Sequence, residues 1–91
     1  MHALLIAINS KYVHTALGLR YVGEYAKAQG FDVYLIEETI NTPILAVLEN
    51  IMDVKADVYA FSVHIWNKPF VYRLISMLKK LRPEATIVVG G

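Results

Sequence analysis

Three short stretches of this chain carry side chains that could do chemistry, and each follows an apolar run. The first is Asn9-Ser10-Lys11-Tyr12-Val13-His14, the second Ser62-Val63-His64-Ile65-Trp66-Asn67, and the third Gly90-Gly91. The first two hold two of the three histidines and the only tryptophan. An imidazole can ligate a metal or carry a proton. Hydroxyls and amides can bind polar edges of a ligand. Two glycines leave bare backbone against which a bulky group can lie. Each feature also has a plain structural use. His14 beside a helix start can be a cap or a surface residue, Trp66 a core or interface anchor, and Ser62 a turn residue. Glu37-Glu38 resembles a carboxylate pair, but the period of a strand sends adjacent side chains to opposite faces, so shared acid–base work is not expected.

Other chemistries are excluded by what the residues lack. With no cysteine, these residues form no disulfide, thiolate metal site, cysteine nucleophile or iron–sulfur cluster. Neither G-x-G-x-x-G nor G-x-x-x-x-G-K-[ST] occurs. The first loop has no glycine before Gly18, although Asn9, Ser10 and Thr15 could meet a phosphate in a flavodoxin-like way. A phospho-receiver domain would place an aspartate where Ser62 stands. The net charge of +1 comes from scattered Lys and Arg, which argues against nucleic acid as a partner. No apolar run approaches the ~18 residues that cross a bilayer. No signal peptide is recognisable, so a cytoplasmic location is expected.

The elements that must position these stretches follow from hydropathy and punctuation. Ala3–Ile8 is an unbroken apolar run and predicts a strand covered on both faces. Asp32–Glu37, Asp57–Val63 and Ala85–Gly90 predict three more. Between them lie three helical patterns. The first has a stripe of Gly18, Tyr21, Val22, Tyr25, Ala26 and Gln29, expected to face the core, and ends at Gly30. The second is predicted to open with Thr42 as cap and Pro43 as first helical residue, with a stripe of Ile44, Leu45, Leu48, Ile51 and Met52. The third opens near Asn67 with Pro69 in its first turn. Its stripe is Phe70, Val71, Leu74, Ile75, Leu78 and Leu81, and it stops before Pro83. Lys79, Lys80 and Arg82 suit the negative end of its dipole.

Strict β-α alternation demands a parallel sheet. The expected fold is α/β, flavodoxin-like (Rossmann-type), three layers α/β/α. Its parallel sheet has four strands in the order 2-1-3-4, as one domain over residues 1–91 truncated after the fourth strand. Ligands of such sheets bind outside the carboxyl ends of the strands where the order reverses, here between strands 1 and 3. The stretches at Asn9 and Ser62 fall there. With 56% hydrophobic and 19% charged residues on so short a chain, some apolar surface is expected to be covered by a ligand, a partner or the rest of a larger protein. A homo-oligomer through uncovered sheet or a strand edge is a further expectation.

These residues resemble a cobalamin-binding domain. That family carries D-x-H-x-x-G after strand 1, S-x-L after strand 3 and G-G after strand 4. Here His14 with Gly18, Ser62, and Gly90-Gly91 stand in those places. Tyr12 replaces the aspartate, the glycine falls four residues after His14 instead of three, and His64 replaces the leucine. An aspartate in that position orients a ligating imidazole and raises its basicity. "INSKYVHTALGLRYV", "EETIN", "AFSVHIWN" and "VVGG" resemble more closely the N-terminal domain of cobalamin-dependent radical S-adenosylmethionine proteins.

The resemblance implies a module that presents the corrin cofactor to a following catalytic domain for methyl transfer or related radical chemistry, with no turnover of its own. S-adenosylmethionine and a 4Fe-4S cluster would belong to that C-terminal domain, whose C-x-x-x-C-x-x-C motif is absent from these residues. It implies Ser62 near the base of the nucleotide tail, and Gly90 and Gly91 where the tail crosses the backbone. It implies His14 below the corrin as a candidate axial ligand to cobalt. Asn9, Ser10, Tyr12, His64 and Trp66 are the remaining candidate contacts. Two other readings stay open: a nucleotide or flavin bound at the same crevice, and a non-catalytic interaction domain.

Overall fold

The strand β1 (His2–Asn9) is buried along its whole length except at His2. Its position explains why its sequence does not alternate. β1 pairs in parallel with β2 (Asp32–Thr39) on one side and with β3 (Val58–Ser62) on the other, and both faces are covered. β4 (Thr86–Gly90) pairs with β3, giving the order β2-β1-β3-β4. The expected sheet is therefore the observed one. The structure is a computed structural model that describes residues 2–9 and 17–90, and of residues 17–20 and 22 the backbone only.

Among the described residues three helices lie in the crossovers: α1 (Leu17–Ala28), α2 (Ile44–Met52) and α3 (Lys68–Leu81). Alternation along β1 and β3 splits the core into two layers. Leu4, Ile6, Ile8, Tyr59 and Phe61 form the larger layer with Val47, Leu48 and Ile51 of α2 and Val71, Leu74 and Leu78 of α3. Leu5, Ala7 and Ala60 face the other way with Val33 packed against them. On that side α1 lies very close to the sheet. A Cβ added to Gly23 would stand 2.8 Å from Leu5 Cδ1.

That approach overturns the expected stripe of α1. Tyr21 and Tyr25 are 71% and 70% exposed, not core. Gly23 is buried and Ala26 half-buried, so the sheet-facing side runs through them. Residues two positions from Gly23 are turned by roughly 200° on a helix of 3.6 residues per turn and point away. Gly30 ends the helix as expected, with φ 91° and its N–H on the Lys27 carbonyl at 3.0 Å.

The start of α2 also differs. Pro43 is the N-cap residue, and no side chain caps the helix. Thr42 Oγ1 instead lies 3.4 Å from Thr39 Oγ1. Val47 takes the buried place expected of Leu45, which is exposed. α3 starts after Asn67 with proline in its first turn and carries Lys79 and Lys80 in its last. Leu81, the last residue of the helix, is exposed. Arg82 follows as its C-cap residue. Its Nη2 donates to the Met52 carbonyl at 2.8 Å and its Nη1 to the Val54 carbonyl at 3.2 Å and to the Tyr59 hydroxyl. One guanidinium thus joins the end of α2, the start of β3 and the end of α3. Among the described residues no helix is long and apolar enough to cross a membrane.

Candidate functional site

Parallel strands bring all their carboxyl ends to one rim, and the register decides what meets there. Asn9 is paired with Thr39, Ala7 with Ser62, and Ser62 with Gly90. Asn9 and Ser62 continue the alternate row of Leu5, Ala7 and Ala60, so both belong to the α1 face of the sheet. Gly90, beside Ser62, lies in the same row. Two buried polar residues and one bare backbone position therefore share one end and one face.

The turn from β3 into α3 is built around Asn67, which is 0% exposed. Its Nδ2 donates to the Ile8 carbonyl at 2.9 Å and to the Ser62 carbonyl at 3.3 Å. Its Oδ1 accepts from the His64 N–H at 2.7 Å. Beside it the Val63 N–H donates to the Gly90 carbonyl at 2.7 Å, one step beyond the β3–β4 ladder. The ends of β1, β3 and β4 are thus tied together by a few short bonds. A buried amide satisfied on both its oxygen and its nitrogen is rigidly placed.

Ser62 is 6% exposed, and its Oγ lies 3.0 Å from His64 Nε2. The His64 ring is stacked on Trp66, with centroids 5.6 Å apart and planes 4° from parallel, an offset stack. Trp66 keeps an exposed edge, and Ile65 between them is almost fully exposed. On the β2 side, the Asn9 carbonyl accepts from the Ile40 N–H at 3.0 Å. Glu38 Oε1 accepts from Asn50 Nδ2 at 2.8 Å and so belongs to α2 packing. Glu37 is exposed on the opposite face, as the period of the strand requires.

Of the residues singled out from sequence, Asn9, Ser62, His64, Trp66 and Gly90 come together at this rim. Ser10, Tyr12, His14 and Gly91 lie outside the described residues. His2 stands at the other end of β1, where its N–H donates to Asp57 Oδ2 at 2.9 Å and its Nδ1 lies 3.5 Å from Asp32 Oδ2. Asn67 is the residue that sequence reasoning took only for a helix start. Its one signal was a polar side chain just before Lys-Pro, which reads as a cap. The side chain points back across the rim instead.

Two clefts lie elsewhere. One of about 320 Å³ opens between α1 and β2, beside Leu5, Gly23, Lys27 and Val33. A larger one of about 840 Å³ lies at the amino ends of the strands, beside His2, Lys55, Asp57, Arg82 and Glu84. Its charges are mixed, and its arginine is committed to the Met52 and Val54 carbonyls. Among the described residues no group of three or more His, Cys, Asp or Glu could hold a metal ion.

Over residues 3–91 the chain matches the B12 binding domain family. It belongs to that family. The B12-binding fold also accounts for the likeness in three dimensions. The crystal structure of a cobalamin-binding protein from Desulfitobacterium hafniense DCB-2 superposes with a TM-score of 0.75 at 19% identity, covering 99% of this chain. The chain spans 44% of the length of that protein. No curated protein matches it.

The rim of this B12-binding domain fits a corrinoid tail on its own chemistry. Ser62 places a hydroxyl at the end of a central strand, buried against His64 Nε2. Beside it, a Cβ added to Gly90 would meet nothing within 4 Å, so the strand end is open on that side. A long polar tail needs such a pairing of a fixed hydrogen-bonding group with accessible backbone.

Proposed function

We propose that the chain binds cobalamin at the carboxyl rim, with the nucleotide tail of the cofactor lying along Ser62 and Gly90. The observation that carries this reading is the family match over residues 3–91. The meeting of Asn9, Ser62 and Gly90 on one face and one end supports it. In this reading Ser62 bonds the tail, and Gly90 and Gly91 let it cross the backbone. Asn9, Ser10, Tyr12, His64 and Trp66 complete the surround. By the sequence resemblance, His14 would be the candidate ligand to the cobalt. The cobalt supplies the alkyl-transfer or radical chemistry when the cofactor is bound; the protein supplies position and electrostatics.

The presented partner is a C-terminal radical S-adenosylmethionine domain of the same chain, with its own 4Fe-4S cluster. The likeness of "INSKYVHTALGLRYV", "AFSVHIWN" and "VVGG" to the N-terminal domains of such proteins supports that context. In this reading the domain has no turnover by itself.

Hydroxocobalamin mixed with the protein and passed through gel filtration tests the binding. The expected result is a visible corrin spectrum eluting with the protein. Free corrin in the small-molecule fraction, with a yellow flavin retained instead, would replace cobalamin by the flavin reading. A C-x-x-x-C-x-x-C motif in the chain after Gly91 tests the radical context separately.

A further inference from the structure

His64 is held by three independent contacts, more than a surface histidine at a turn requires. Its N–H is bonded to Asn67 Oδ1 at 2.7 Å. Its ring is stacked on Trp66. Its Nε2 lies 3.0 Å from Ser62 Oγ. The ring therefore has a set plane and a set edge, and that edge is turned to the one hydroxyl of the rim that the tail reading uses.

A serine hydroxyl has one hydrogen and two lone pairs. A neutral imidazole nitrogen either accepts that hydrogen or donates its own. We propose that His64 donates from Nε2 to Ser62 Oγ, so that the Ser62 hydrogen points outward, and that this makes the rim selective for corrinoids carrying a nucleotide tail. The heteroaromatic base and the phosphodiester of that tail are hydrogen-bond acceptors, which an outward hydroxyl hydrogen matches. A hydrocarbon at position 64 would leave the hydroxyl to rotate toward a neighbouring backbone carbonyl. Donation by one group into the next also strengthens the outer bond. Trp66 and Asn67 act here as positioning residues for the imidazole. The inference rests on the cobalamin reading and names the residue that discriminates within it.

The test compares two probes, aquocobalamin and cobinamide, which lacks the nucleotide tail. Each is titrated into the 91-residue chain and its His64→Leu, His64→Gln and Ser62→Ala variants, with retained corrin read by visible absorbance. His64→Leu should weaken cobalamin binding about 3- to 10-fold, the worth of one neutral hydrogen bond, and leave cobinamide within about 2-fold. His64→Gln, which can carry an N–H to the same place, should recover most of the loss. Ser62→Ala should show the same split between probes as His64→Leu, and combining the two should add nothing.

Equal weakening of both probes, or no change in either, overturns the inference while leaving the cobalamin reading intact. Wild-type protein that retains neither probe fails the cobalamin reading, and this inference falls with it. If His64→Leu does not fold, the split between probes in Ser62→Ala and the recovery in His64→Gln decide the matter.

Discussion

The Asn67 side-chain amide donates to the Ile8 carbonyl at 2.9 Å, joining residues 59 apart in the sequence. Ile8 lies next to the end of the central strand, and Asn67 closes the turn after its neighbour. The end of β1 and the turn after β3 are therefore held together by one side chain. In a parallel sheet the ladder fixes the strands, while the loops beyond it need their own ties. Asn67 supplies that tie and also orients the turn carrying Ser62 and His64.

Asn67→Ala should destabilise the fold by about 2–4 kcal/mol, because it strands a buried N–H and weakens the satisfaction of two carbonyls. Urea unfolding measures this, and a change below about 0.5 kcal/mol would contradict the tie. Asn67→Asp adds a pH test. Its carboxylate would face the Ile8 and Ser62 carbonyls in a buried place, which raises its folded pKa above the unfolded value of about 3.9. A raised folded pKa stabilises below the unfolded pKa and loses that contribution as pH rises through the folded one. The deficit of Asn67→Asp should therefore shrink from pH 8 toward pH 4. A deficit that stays constant or grows toward acid would show that the carboxylate is not held among carbonyls.

Arg82 separates stability from the site. Its guanidinium caps the final carbonyl of α2 at Met52, holds Val54 and meets the Tyr59 hydroxyl. All of this lies at the amino ends of the strands, opposite the rim. Arg82→Ala should cost about 2–3 kcal/mol of unfolding free energy, the scale of hydrogen bonds to a charged group. Arg82→Lys should recover less than half, because an ammonium cannot span the separate acceptors with a fork. Corrin retention well below the melting temperature should be unchanged in both variants. A loss of retention without a loss of stability would place ligand contacts at the wrong end of the sheet.

What was legible in the sequence was local or topological. The run Ala3–Ile8 announced a central strand because two covered faces leave no room for alternation. Gly30 and Pro83 marked helix ends because their backbones impose a stop. Parallel direction followed from alternation, and with the order expected of a flavodoxin-like sheet it placed Asn9, Ser62 and Gly90 at one rim before any contact was visible. What was not legible depended on distant partners. Tyr21 and Tyr25 looked like a core stripe because tyrosine scores as apolar. Gly23 went unnoticed because a close approach is a property of the opposing Leu5. Asn67 read as a cap, since the Ile8 carbonyl it serves is far away in sequence. The bond between Ser62 and His64 is short-range, but only the turn set by Asn67 folds the imidazole back onto the hydroxyl. His14, Ser10, Tyr12 and Gly91 lie outside the described residues, and they were singled out from the sequence and its resemblance.

Gly23 tests the seating of α1. A methyl there meets Leu5 Cδ1 at 2.8 Å, but a cleft of about 320 Å³ beside Leu5 gives that side chain room to turn. Alanine also gains about 0.8–1 kcal/mol of helix propensity over glycine. Gly23→Ala should therefore stay close to wild type. Gly23→Val adds two further carbons and a β-branch against the sheet, and should lose about 1–3 kcal/mol. Thermal melts rank the three proteins, and a valine variant as stable as wild type would mean that α1 does not press on β1 as closely as described.

Gly90 offers the sharpest separation of ligand from fold. It lies on the edge strand with φ outside the positive region, and a Cβ added there meets nothing within 4 Å. Its carbonyl bond from Val63 is made by backbone and survives substitution. Valine favours strand backbone, so Gly90→Val should leave stability unchanged or raise it by up to about 1 kcal/mol. The same isopropyl group would stand where the cofactor tail is proposed to cross. Cobalamin retention should then fall at least about 10-fold, a clash worth about 1.4 kcal/mol or more. Cobinamide, with no tail to obstruct, should bind as before. A Gly90→Val protein that folds and retains cobalamin normally would move the tail off this strand, and with it the reason for two glycines at its end.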